Sequence, residues 1–164
     1  MRVGQWRITK RIVEEGDARL VERIFESSRE LERAVGQWSE VEWKDFVRVQ
    51  CNAQRAHYGT MFPNATHEIV LVDARSAGRI WIDRSPNEIR LLDITLLPEF
   101  RCQGFGSALI QELQKEAQAG KRPLRHMVER DNPRAMRLYA RLGFRIVSEH
   151  SMHYLMEWIG ERLD

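Results

Sequence analysis

Apolar residues recur along this chain at two spacings, which alternate from one segment to the next. Short compact or alternating apolar runs are typical of strands, whereas apolar residues three or four positions apart predict amphipathic helices. The short runs predict strands at residues 3–12, 67–73, 79–83, 88–97, 124–128, 144–149 and 152–158. The longer spacing predicts helices at residues 17–33, 39–58, 104–120 and 131–143.

These segments follow one another in the order β-α-α-β-β-β-α-β-α-β-β. Residues 74–78 are predicted to form the turn of a hairpin, and Pro98 stops the longest strand. The order predicts a mixed α/β fold, in which four helices pack on a central sheet of about seven strands. A length of 164 residues favours a single domain covering residues 1–164.

The turn between Leu96 and Ser107 carries the most chemical information. A strand ends at Pro98, and a helix then opens on Gly104 and Gly106. The first amides of a helix have no partner within it, and together with the helix dipole they form a site for a phosphate-like anion. Arg101 adds a positive charge beside the turn.

Two glycines before a helix are a weak signal by themselves, because an ordinary glycine-rich turn has the same pattern. The turn lacks the third glycine of a dinucleotide fingerprint and the Gly-Lys-Ser/Thr ending of a P-loop. It therefore does not predict a dinucleotide or nucleoside triphosphate site.

Two motifs together resemble the GNAT superfamily of N-acetyltransferases. Arg101-x-x-Gly104-x-Gly106 is similar to the family's acetyl-CoA signature, Gln/Arg-x-x-Gly-x-Gly/Ala. The segment 132–144 is similar to a second family segment, with Asn, Ala, Tyr and Gly-Phe at the usual offsets. The order of elements matches the GNAT acyl-CoA N-acyltransferase fold over nearly the whole chain.

The resemblance implies a transferase that moves an acetyl group from acetyl-CoA directly onto an amine. It implies that backbone groups near Ile94 and Leu96 hold the pantetheine arm, and that Asn132 contacts the CoA chain or caps its helix. It also implies that Tyr139 protonates the departing thiolate, although an apolar stripe around Tyr139 allows a purely structural role. The residues assigned to the cofactor are Ile94, Leu96, Arg101, Cys102, Gln103, Gly104, Phe105, Gly106, Ser107 and Asn132.

Asp93 is the expected general base, because it interrupts an apolar strand and a charge there requires a reason. Glu68, Glu129 or a chain of water molecules are alternatives. An ion pair with one of the chain's arginines would explain Asp93 equally well.

Composition narrows the possible partners. The formal net charge is +2, so nothing global points to nucleic acid. Arg134, Arg137 and Arg141 lie off the apolar stripe of the last helix, which favours a solvated face over phosphate contact. The two cysteines and five histidines show no metal-ligand spacing, so no metal site is expected.

Neither an apolar leader nor a membrane-length apolar run is visible, which predicts a cytoplasmic protein. The sequence does not give the oligomeric state, and a monomer or a homodimer is expected. Cys102 departs from the family pattern and is expected to be a bystander. A non-catalytic acyl-CoA sensor and an enzyme that acetylates aminoacyl-tRNA are the alternative functions. The sequence does not name the amine.

Overall fold

The computed structural model describes residues 1–160, which form one sheet of eight strands flanked by five helices. The strands are β1 (Arg2–Val3), β2 (Trp6–Ile12), β3 (Thr66–Val72), β4 (Arg75–Arg84), β5 (Ile89–Leu96), β6 (Leu124–Glu129), β7 (Arg145–Glu149) and β8 (His153–Trp158). The helices are α1 (Ala18–Ser27), α2 (Glu30–Val35), α3 (Glu40–Met61), α4 (Phe105–Ala119) and α5 (Pro133–Arg141).

The strands lie side by side in the order β1-β2-β3-β4-β5-β6-β8-β7. Neighbouring strands are antiparallel except for β5 and β6, which run parallel and are joined through α4. The mixed α/β fold predicted from the sequence is thus confirmed, with one more strand and one more helix than expected.

Both extra elements arise from a split that apolar spacing does not register. Gly4, with φ of +57°, turns the first predicted strand back on itself to give β1 and β2. The first predicted helix is interrupted where the hydroxyls of Ser27 and Ser28 donate to the carbonyls of Ile24 and Phe25. Such local hydrogen bonds compete with helix continuation, so α1 ends there and α2 begins separately.

The prediction that residues 74–78 form a turn is wrong. Asp73 and Ala74 both have positive φ and make the hairpin turn, so β4 already begins at Arg75. Gly78 belongs to the strand and not to the turn, because a Cβ there would collide with the carbonyl of Thr95 on β5. A glycine in a strand interior marks such a close backbone approach.

Helices cover both faces of the sheet. From one face of β4, Arg79 reaches the Phe25 ring on α1 and Gln54 on α3. Five residues further along and on the opposite face, Arg84 pairs with Glu116 on α4 at 2.8 Å. No helix among residues 1–160 has the length and hydropathy needed to cross a membrane.

Candidate active site

A cradle of backbone amides precedes α4. Within residues 1–160, none of the amides of residues 102–107 has a hydrogen-bond acceptor, and the first helical bond runs from the amide of Ala108 to the carbonyl of Gly104. Cys102 (φ +60°) and Gly104 (φ +86°) both have left-handed backbone conformations. Phe105 is buried in the core and anchors the helix start. The cradle, defined as residues 102–107, can accept an anion with several oxygen atoms.

A gap between β5 and β6 lies next to the cradle. The parallel pairing covers only Ile89–Leu91 against Leu124–His126, and beyond it the two strands diverge. The cause is a β-bulge at Leu92, which has no partner on β4. A bulge bends its strand and changes the direction of the residues after it.

Backbone groups on the bulged strand face this gap. Leu97 donates its amide to Ala77 on β4, and alternate residues of an antiparallel strand point to the other edge. The backbone groups of Ile94 and Leu96 therefore lie toward β6, on the side expected for the pantetheine arm.

The side chain of Arg101 braces the scaffold. Its Nε donates to the carbonyl of Leu96 at 2.8 Å, and its Nη2 donates to the carbonyl of Ser27 at 2.6 Å. Its Nη1 pairs with Glu30 at 3.1 Å. These contacts tie the end of β5 to α1 and α2, which gives Arg101 a support role in the scaffold, and its contact with a phosphate stays a prediction.

The side chain of Gln103 also supports the loop rather than extending into it. Its Nε2 donates to the carbonyl of Glu99 at 2.7 Å, within the turn that leads from β5 to the cradle. Gln103 therefore contributes to the cradle through its backbone amide, and the amide of Ser107 is unpaired in the same run within residues 1–160.

The N-terminal end of α5 meets the cradle. Asn132 caps the helix by accepting from the amide of Ala135 at 3.0 Å, as expected. Arg134 extends from the first turn of α5, and its Nη2 lies 2.7 Å from Sγ of Cys102. The sequence predicted a solvated face for Arg134. The proximity of α5 to this loop arises only in the folded chain and could not be seen in the sequence.

Tyr139 lies on the buried side of α5. Its ring packs against His126 at 4.8 Å between centroids and against Phe144 at 5.1 Å. Among residues 1–160, no group hydrogen-bonds to its hydroxyl. Burial, reinforced by the Asp93 carboxylate, raises the pKa of Tyr139 above its ordinary value, so the phenol stays protonated near neutral pH.

Asp93 forms the ion pair that the sequence left open. Its carboxylate lies 2.8 Å from Nε of Arg79, which is 1% exposed, and the Thr95 hydroxyl donates to it at 3.3 Å. Arg79 in turn donates to Gln54 at 2.6 Å. A carboxylate held in this way is poorly placed to collect a proton from a substrate.

The two alternative carboxylates differ from Asp93 and from each other. Glu68 has a buried Oε2 that no group within residues 1–160 hydrogen-bonds. Glu129 is 52% exposed and lies 4.0 Å from Arg29. Neither is joined to Tyr139 by a contact among the described residues.

His126 is a site residue that the sequence reasoning missed. It is the last residue of β6 to pair with β5, and its Nδ1 lies 2.7 Å from the carbonyl of Leu91. The spacing of the five histidines in the sequence bears only on metal binding, which does not single out His126. A histidine in the middle of the short predicted strand at residues 124–128 was the signal available for finding it.

Comparison with known proteins gives a family and a fold. The family model described as acetyltransferase (GNAT) domain matches residues 63–146, which include the gap, the cradle and Tyr139. Among curated proteins, none matches the chain.

Several solved structures share the fold at low sequence identity. PaiA N-acetyltransferase from Thermoplasma acidophilum, in complex with coenzyme A, is similar with a TM-score of 0.71 and 20% identity over 94% of this chain and 99% of that one. Ard1 from Thermoplasma volcanium has a TM-score of 0.63 and 22% identity over 94% and 99%. Spermidine N-acetyltransferase from Vibrio cholerae, in complex with CoA and spermine, has a TM-score of 0.63 and 16% identity over 93% and 95%.

Proposed function

The chain belongs to the GNAT acetyltransferase domain family, and from this premise we propose that it transfers the acetyl group of acetyl-CoA directly to a primary amine of a small molecule or peptide. The unpaired amides of residues 102–107, set beside a gap between two strands, are the observation that carries this proposal. The cofactor is supported further by similar folds that were solved with coenzyme A.

The residues present fit the cofactor. A diphosphate requires several converging donors, and the cradle offers a run of amides with Arg134 beside them. Among residues 1–160, and apart from the helix's own backbone and the two chain neighbours, a Cβ on Gly106 would meet its nearest atom, on the Leu96 side chain, at 3.8 Å, so space at the start of α4 is open to a ligand. The backbone of Ile94 and Leu96 would then hold the pantetheine arm along the gap.

The catalytic assignments rest on the same geometry. The backbone of Ile94 would polarise the thioester carbonyl, which is the oxyanion type of stabilisation. Tyr139, protonated because its pKa is raised, would donate a proton to the departing thiolate. Asp93 would act through its charge and not as the base. The amine attacks directly, so holding both reactants in line supplies much of the rate.

The wider assignments remain predictions. They are a cytoplasmic location and a monomeric or homodimeric state. The proposed acceptor is a primary amine of unspecified identity, because the acceptors of the similar proteins are not transferred to this chain.

A pair of glycine variants tests the cradle. Gly106→Ala places a methyl group where the phosphates would lie, and we expect acetyl-CoA to bind about tenfold more weakly, as when one hydrogen bond to a charged group is lost. Gly59→Ala in α3 is the matched control, because its new Cβ meets nothing within 4 Å. Thermal shift measured against acetyl-CoA concentration gives both affinities.

Two results would contradict the proposal. If acetyl-CoA does not raise the melting temperature of the unmodified chain, the cradle is not a cofactor site. If it binds but no thiol is released with a polyamine, a lysine analogue or a peptide N-terminus, the chain is a sensor and not an enzyme.

A further inference from the structure

We propose that His126 is the catalytic base, which takes the proton from the incoming ammonium through Nε2. The inference rests on the proposed function and adds to it the residue that makes the amine nucleophilic. It replaces Asp93, whose carboxylate is engaged by Arg79 at 2.8 Å.

The hydrogen bond to Leu91 fixes which nitrogen is free. A backbone carbonyl can only accept, so the Nδ1 of His126, 2.7 Å from the carbonyl oxygen, must carry the hydrogen. In a neutral ring the lone pair then lies on Nε2, which has no partner among residues 1–160. A neutral imidazole with one nitrogen held and the other open is the form that a proton acceptor requires.

The charge state of the ring agrees with this assignment. Burial lowers the pKa of His126 below its ordinary value, while the Leu91 carbonyl and the Asp93 carboxylate oppose that shift. Arg90 on β5 and His153 on β8 act in the same direction as burial. The ring is therefore neutral at pH 7, and Asp93 favours the imidazolium that forms on proton uptake.

The position of His126 suits the step. The pair Leu91–His126 closes the β5–β6 ladder, so the ring lies at the apex where the gap begins. The Tyr139 ring, on α5, is 4.8 Å away between centroids. Acid and base are thus neighbours at the place where the thioester and the amine would meet.

The proton balance closes without an added reagent. The ammonium gives one proton to Nε2 of His126, and the freed nitrogen forms a bond to the acetyl carbon while the carbon–sulfur bond breaks. Tyr139 donates its proton to the sulfur and regains one from the nitrogen that becomes the amide. His126 then returns its proton to solvent.

The variant His126→Asn distinguishes the role of Nδ1 from the role of Nε2. The Asn amide can still donate to the Leu91 carbonyl but has no counterpart of Nε2, so the fold is retained and the base is lost. His150→Asn, at an exposed position, is the matched control. The measurement is kcat against pH between 5 and 9 with a polyamine and a tripeptide as acceptors, alongside thermal shift with acetyl-CoA.

We expect kcat of the unmodified chain to fall as the pH drops below the pKa of His126, because the base becomes protonated, and to be level above it. His126→Asn should lose about 10²-fold or more in kcat. Its remaining rate should rise with pH, following the fraction of acceptor amine that is already uncharged. Binding of acetyl-CoA should be unchanged.

Each other outcome has a defined meaning. An active His126→Asn with an unaltered pH profile overturns the base assignment and leaves the proposed function standing. Absence of thiol release by the unmodified chain with every amine overturns the proposed function itself. Should the variant fail to fold, nitrogen NMR of the unmodified chain decides, since a charged His126 at pH 7, or one protonated on Nε2, contradicts the inference.

Discussion

The cradle and the apex of the gap are built from different materials. The cradle is backbone, shaped by the left-handed conformations of Cys102 and Gly104 within one short loop. The apex is made of side chains that β4, β5, β6 and α5 bring together, namely the Arg79–Asp93 ion pair and the neighbouring rings of Tyr139 and His126. Affinity for the cofactor and speed of the chemistry should therefore respond to different substitutions.

The largest effect is expected on the free energy of unfolding, from substitution of Arg79 at the apex. Arg79→Met leaves the largely buried Asp93 carboxylate without its cationic partner, which should lower the free energy of unfolding by about 3–5 kcal/mol. Arg84→Met on the opposite face removes a partly exposed pair and should cost less than about 1 kcal/mol. Urea unfolding measures both, and equal losses would show that the apex does not depend on the Arg79 pair.

Tyr139→Phe should come next, with an effect on rate alone. Removing the hydroxyl keeps the ring contacts with His126 and Phe144, so kcat should fall about 10²-fold while KM stays the same. Because the pKa of this phenol lies above its ordinary 10.0, its loss of a proton should not reduce kcat below pH 10. Steady-state kinetics up to pH 10 test both statements, and a Tyr154→Phe variant on β8 serves as the control.

The smallest effect should come from a side chain at the cradle. Arg134→Gln removes an exposed charge beside Cys102, and acetyl-CoA should bind about fivefold more weakly at low salt, with less difference at high salt. Arg137→Gln, exposed on the same helix, is the control. If Arg134→Gln weakened acetyl-CoA binding as much as Gly106→Ala does, side chains would contribute as much as the backbone to binding at the cradle.

The same division explains what the sequence could predict. Gly104 and Gly106 identified the cradle because backbone conformation is encoded by neighbouring residues. The apex depends on register between distant strands, so the ion-pair partner of Asp93 and the position of His126 were not visible. Arg101 shows the limit of charge as a guide, since its guanidinium reaches Leu96 and Ser27 carbonyls that only folding brings near.

Leu92 shows that the most regular sheet would be the wrong one for this protein. Deleting this single residue would let β4 and β5 pair without interruption, with Asp93 still opposite Trp81 on β4. Asp93 would keep its place on the face of Arg79, but the gap between β5 and β6 would lose its cause. A redesign that removed this bulge to gain stability would also remove the gap between β5 and β6.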